Sequence, residues 1–226
     1  MRIETNNGGG KNFYSYKQGW FYLKNGTDTD PDYKEVTLID KEKKEYTDTG
    51  VYVSALGGIV SDVELEKVEH EGRSFEVLKV TLDGEDVISM SFPSEAARKT
   101  LQQFEKLDFS KPVILNAYLK DGWSKMTIKQ DGEHVENSYL NWNAETRTME
   151  YLNGYPERPA ADADQDLKEM FPVQEKKFLR SIAEKVSALV PEFTPVDLDE
   201  VNGDNQIAAQ EDAAYEDINP EDIPFK

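Results

Sequence analysis

The stretch VYVSALGGIVSDVELEKVEH, residues 51–70, decides the fold. It reads as one long extended run, interrupted once, at Gly57-Gly58. Paired glycines inside a strand mark a bulge or a sharp bend, the means by which a long strand curves around a small barrel. Downstream the pattern is regular. Glu71-Gly72 is a turn, RSFEVLKVTL (73–82) a second strand, Asp83-Gly84 a hairpin turn and EDVISMSF (85–92) a third strand that Pro93 stops. SEAARKTLQQFEKL (94–107) predicts a helix, with Ser94 as its N-cap and Ala97, Leu101, Phe104 and Leu107 on one face. KPVILNAYLK (111–120) and WSKMTIK (123–129), joined by Asp121-Gly122, are the fourth and fifth strands, and residues 139–152 predict a further hairpin.

Upstream, FYSYKQGWFYLK (13–24) predicts a strand or a hairpin bent at Gly19, residues 34–40 a short strand, and residues 41–50 a charged connector. Residues 156–164 read as a linker, and residues 165–190 contain a helix. From Pro172 onward, its apolar stripe of Phe178, Ile182, Val186 and Leu189 is expected to dock on the barrel. Three strands, a helix and two strands is the element order of an OB-fold. The expected fold is therefore mainly β: a single OB-fold five-stranded barrel with a helix between strands 3 and 4, extra N-terminal strands, a C-terminal helix and a disordered acidic tail. The expected domains are 1–158, the barrel with its N-terminal extension; 159–191, a linker and docking helix; and 192–226, the tail.

The chain of 226 residues has a formal net charge of -19, which at first argues against a nucleic-acid partner. The excess is uneven. Residues 192–226 hold 11 acidic residues against one basic residue, about half of the whole excess. Net charge describes the long-range field, and a local basic stripe survives it. With no cysteine, disulfide frameworks, thiol catalysis and Cys-ligated zinc are excluded, and a reducing cytoplasm fits (host cytoplasm if the chain is phage-encoded). No transmembrane helix or signal peptide is expected. Two histidines in turn-like contexts, no hydrolase or Walker motif, and a GGGK at 8–11 followed by asparagine speak against an enzyme. TDTDPD (27–32) lacks the glycine and glutamate of a calcium loop. No catalytic residue, metal or cofactor is expected.

Alternation along the strands places Leu78, Val80 and Leu82 inward, with Arg73, Phe75, Val77, Lys79 and Thr81 outward. Val113, Leu115, Ala117 and Leu119 point inward, and Asn116, Tyr118 and Lys120 outward. Met126 and Ile128 oppose Trp123, Lys125, Thr127 and Lys129. Trp20, Tyr22 and Lys24 share a side. The candidate binding set is therefore Trp20, Tyr22, Lys24, Arg73, Phe75, Lys79, Tyr118, Lys120, Trp123, Lys125 and Lys129. Aromatic faces stack on exposed bases, each at about 1–3 kcal/mol, while cations track phosphates. A duplex hides its base faces, so this mixture favours single strands. Each aromatic alone fits equally well as packing against the N-terminal segment or the C-terminal helix; the set carries the expectation.

The chain ends EDINPEDIPFK, with Asp222, Ile223, Pro224 and Phe225 forming an acidic and apolar tip. An OB-type barrel with an aromatic and basic face, followed by such a tail, resembles the single-stranded-DNA-binding proteins of bacteria and their phage replication counterparts. The resemblance implies sequence-tolerant coating of single-stranded DNA during replication, recombination or repair. It also implies a tail that recruits replication and recombination proteins and competes with DNA for the binding face. In the bacterial family the phenylalanine is terminal; here Lys226 follows it, displacing the carboxylate. The alternative is an acidic protein-interaction adaptor or DNA-mimic inhibitor that binds no nucleic acid. A metal-dependent nuclease is a third hypothesis.

Overall fold

The break at Gly57-Gly58 is a change of sheet. This is seen in a computed structural model that describes residues 10–39, 44–70, 72–120 and 123–192. Strand β4 (Glu45–Val53) belongs to a seven-stranded sheet, β5 (Ala55–Gly58) to a four-stranded one, and β6 (Val60–His70) to the first sheet again. Asp83 holds the second crossing. Its backbone amide donates to the Ile59 carbonyl (2.8 Å), and its carboxylate accepts from the Ile59 amide (2.9 Å). A side chain at Gly58 would collide with that carboxylate. The expected bulge lies just beyond, where the pairing of β6 with its neighbour shifts between Val60 and Asp62.

The larger sheet runs β3 (Tyr33–Ile39), β4, β2 (Trp20–Leu23), β1 (Asn12–Lys17), β8 (Asp86–Ser91), β7 (Arg73–Leu82), β6. The smaller runs β11 (Glu133–His134), β10 (Trp123–Gln130), β9 (Val113–Lys120), β5. A separate hairpin pairs β12 (Leu140–Asn143) with β13 (Thr148–Tyr151). The chain is mainly β, and its described strands form no closed barrel. Of the two readings of residues 13–24, a strand or a hairpin bent at Gly19, the hairpin is present as β1–β2, and β1 lies parallel to β8, with Tyr14 opposite Ile88. That edge of β8 is thereby occupied by the N-terminal hairpin rather than by β10. The expected connector at 41–50 is in part strand, since β4 begins at Glu45 and pairs with β3 from Glu45 to Val51.

Both sheets turn their apolar sides to one core. Phe21, Leu78, Val80, Ile88 and Met90 come from the larger sheet, and Leu115, Ala117, Met126 and Ile128 from the smaller. Helix α1 (Glu95–Phe104) adds Ala97, Leu101 and Phe104, and its Ser94 cap accepts from the Ala97 amide as predicted. Full burial of each such leucine or isoleucine stabilises the fold by about 1.5–3 kcal/mol. Helix α2 (Gln165–Leu189) contributes Leu179, Ile182, Ala183 and Val186. Its buried stripe thus runs through Leu179, while Phe178 is partly buried and Leu189 is exposed. The helix starts before Pro172, and Leu167, Met170 and Val173 project into solvent from its first turns.

Glu76 on β7 anchors α2. Arg180 donates to both its carboxylate oxygens (2.8 Å each) and Lys176 lies at 2.7 Å. Hydrogen bonds from Arg180, then from Lys176, bring the Glu76 carboxyl down from its ordinary 4.5 to about 2. All described residues belong to one compact unit. The tail with its tip at Asp222–Phe225, and residues 1–9, lie outside the described residues.

Candidate nucleic-acid interface

Residues opposite one another across a ladder share a face, so the register sorts the candidates. On the larger sheet one row runs Tyr22, Ser15, Ser89, Lys79, Glu64. The next begins Trp20, Lys17, and Phe75 and Arg73 continue the same side of β7. Lys24 lies just past β2, its amide bonded to the Phe13 carbonyl. These six candidates, Trp20, Tyr22, Lys24, Arg73, Phe75 and Lys79, therefore lie along the side of the large sheet that faces away from the core. The other five are on the small sheet, where Lys120 faces Trp123 and Tyr118 faces Lys125, with Lys129 opposite Ile114. They oppose buried Met126 and Ile128, as the alternation predicts.

The two groups differ in what surrounds them. On the large sheet, Trp20 packs edge-on against Tyr52 with the Lys34 ammonium 4.5 Å above its ring, and Tyr22 lies 5.0 Å from Tyr52. Tyr52, Val36 and Leu38 form a second small core against these two rings. Lys17 is bound to Asp48 (2.6 Å), which also accepts from the Tyr52 hydroxyl (2.5 Å). Hydrogen bonds from Lys17 and then Tyr52 hold Asp48 below the usual carboxylate range. Lys79 pairs with Glu66 and Glu64 on β6, and the Glu66 hydrogen bond, more than the burial opposing it, raises its pKa. Trp20, Tyr22 and Lys79 are thus engaged in holding the sheet together. Val77 and Thr81, expected outward, are buried. Phe75, Arg73 and Lys24 are exposed.

The small sheet presents its candidates more freely. Trp123 is 66% exposed and Tyr118 38%. Lys120 is exposed, and among the described residues neither it nor Lys129 makes a salt bridge; Lys125 meets Glu95 from α1 at 2.7 Å. Ile114 and Leu119 are also exposed, so Leu119 does not take the inward place alternation assigns it. It sits at the strand's end, past the core residues. The β1–β2 turn abuts this face. At Gly19 (φ +80°) a Cβ would lie 2.5 Å from the Tyr118 carbonyl carbon, so only glycine fits there.

Two features escaped the sequence reading. Trp142 on β12 is 59% exposed, opposite Met149. A cleft of about 1010 Å³ opens between α1, the β12–β13 hairpin and the start of α2, with Lys99, Gln102 and Arg158 in its lining. The available signal was Gln102-Gln103, two glutamines inside the helical repeat, both buried in the fold. No helix among the described residues is long and apolar enough to cross a membrane. Comparison with known proteins finds no matching family model, no matching curated protein and no matching solved structure.

Proposed function

We propose that this chain binds single-stranded DNA without strong sequence preference, on the outer face of the β9–β10 hairpin, coating and protecting it in replication and recombination. The observation that carries this is an exposed ring beside a lysine that makes no salt bridge among the described residues, Trp123 beside Lys120, with Tyr118 exposed on the same face. A flat ring next to an ammonium offers one nucleotide both stacking and phosphate neutralisation. The protein is a binding protein, not an enzyme, and acts in the cytoplasm. Its fold is read as OB-like: β5–β6, β7, β8, α1, β9 and β10 keep that element order, opened where the N-terminal hairpin lies beside β8. The acidic segment 192–226, with its Asp222–Phe225 tip resembling that of the bacterial family, recruits replication partners and competes with DNA for the lysines.

Titration with oligo-dT at low salt tests the proposal. Quenching of tryptophan fluorescence is expected, stronger after removal of residues 192–226. No quenching in either form rejects strand binding. Unchanged affinity in the shortened form rejects the competition alone. A second reading, an acidic adaptor without nucleic-acid binding, draws on Asp62, Glu64 and Glu66 along β6, two of which neutralise Lys79. It requires that the shortened chain also leave oligo-dT unbound.

A further inference from the structure

The hydrogen bonding around Gln102 leaves one donor over. Asn137 accepts from the Tyr139 and Leu140 amides through its side-chain oxygen (2.8 and 2.9 Å). That fixes its amide orientation, so its Nδ2 is the atom that donates to Gln102 Oε1 (2.9 Å). The Gln102 Nε2 is then the free end. It has no hydrogen-bond partner, although the residue is only 2% exposed. A buried amide donor without an acceptor is costly, and this one belongs to a side chain that lines the cleft between α1, α2 and β12–β13.

The same cleft gathers positive charge and flat apolar surface. Lys99, Arg158 and Lys168 line it, with Tyr151 and Phe171. Among the described residues Lys99 and Arg158 have no salt-bridge partner, and Lys168 donates only to the Ala161 carbonyl. Burial, reinforced by Lys125 nearby, lowers the pKa of the Lys99 ammonium. The back wall is fixed separately, because Glu175 is committed to Arg98 (3.0 Å) and the Tyr155 hydroxyl (2.6 Å).

We infer that this cleft is a nucleotide site, taking a phosphate on Lys99, Arg158 and Lys168 and a base against Tyr151 and Phe171, with a base acceptor meeting Gln102 Nε2 when that covered amide turns into the cleft. A bare phosphate would satisfy the cations and leave the rings and the amide unused. An apolar ligand would leave the cations unpaired. A nucleotide uses all three, and the volume is at the upper end of the range of small-molecule sites. The occupant is either a free nucleotide or one residue of a strand. Glu95, which pairs with Lys125 on β10, also lines the cleft, so the cleft adjoins the proposed strand face without depending on it.

The test is calorimetric titration of the full chain with thymidine 5′-monophosphate, thymidine and inorganic phosphate. The monophosphate is expected to bind with a Kd below about 1 mM, more tightly than either fragment. Arg158→Ala, at an exposed position that leaves the core intact, and Lys99→Gln are each expected to weaken it about tenfold. Gln102→Glu, which keeps the side-chain size, weakens it as well; Trp123→Ala does not. Binding no tighter than that of inorganic phosphate, or unaffected by Arg158→Ala and Lys99→Gln, overturns the inference. If Arg158→Ala also weakens oligo-dT, the occupant is a nucleotide of the strand; if it does not, the occupant is free. Monophosphate binding without oligo-dT binding supports the cleft and rejects the sheet face.

Discussion

The outer faces of the two sheets carry similar residues in different employment. On the large sheet, Trp20 and Tyr22 lean on Tyr52, and Lys79 and Lys17 are held by carboxylates. On the small sheet, Trp123 and Tyr118 stand open and, among the described residues, Lys125 alone of the three candidate lysines has a carboxylate partner. The difference arises from the neighbouring strand. β7 lies beside β6, which places Glu64 and Glu66 within reach of Lys79, whereas β9 and β10 face each other with lysine, tyrosine and tryptophan. Composition alone does not make a binding surface; a cation already paired across a ladder has little left for phosphate.

Four perturbations break or sharpen this contrast. The largest acts on what the faces share. Leu115→Ala, in the common core, is expected to cost about 2–5 kcal/mol, with urea unfolding followed by fluorescence and circular dichroism shifting in one transition for both sheets. Separate transitions would mean that the sheets are independent. Next, Trp123→Ala is expected to weaken oligo-dT binding by about 1–3 kcal/mol with little change in stability. Trp20→Ala should do the reverse, costing about 1–2 kcal/mol of stability through its lost ring and cation contacts. Equal binding losses would erase the distinction between the faces.

The third perturbation is pH. The Glu76 carboxyl sits at about 2, below its ordinary 4.5, so the folded state binds the proton less readily than the unfolded chain. Its contribution is complete above about pH 4.5 and is lost as pH falls through about 2. Acid unfolding should therefore be less steep in Glu76→Gln across that window, and an unchanged acid profile would show that the α2 anchor adds nothing. The smallest effect is ionic. Lys129→Ala should lower the slope of log affinity against log salt by about 0.7, the value for one single-strand phosphate contact. Lys79→Ala, whose charge Glu66 and Glu64 already offset, should leave the slope in place.

Much of the chain order was legible in the sequence because it depends on local rules. Strands β6 to β10, the Ser94 cap and the hairpin at Gly19 follow from alternation, capping and turn chemistry. Partner choice is not local. Nothing in residues 12–17 says that they lie parallel to β8, and that one pairing takes up an edge of β8 that the expected five-stranded barrel did not assign to the N-terminal segment. Residues 45–50 read as a connector because their charges hide the alternation, and what makes them a strand is β3 opposite. The candidate site was legible as a list of rings and lysines. Which lysines are spent could not be read without the register, as Lys79 shows. The cleft at Gln102 depends on α1, α2 and a hairpin meeting, which no single segment encodes.

The parallel pairing of β1 with β8 also bears on how the chain is made. Asn12 bonds Asp86, 74 residues further along, so during synthesis at about 5–20 residues per second the hairpin waits roughly 4–15 s for its partner strand. The clasp between Arg180 and Glu76 spans 104 residues and closes later still. Through that interval an aromatic strand edge stands unpaired on the nascent chain, where crowding favours edge-to-edge association. Of the two edges of the N-terminal hairpin, the one on β2 meets β4 by residue 53, while the one on β1 is covered only once β8 has been made.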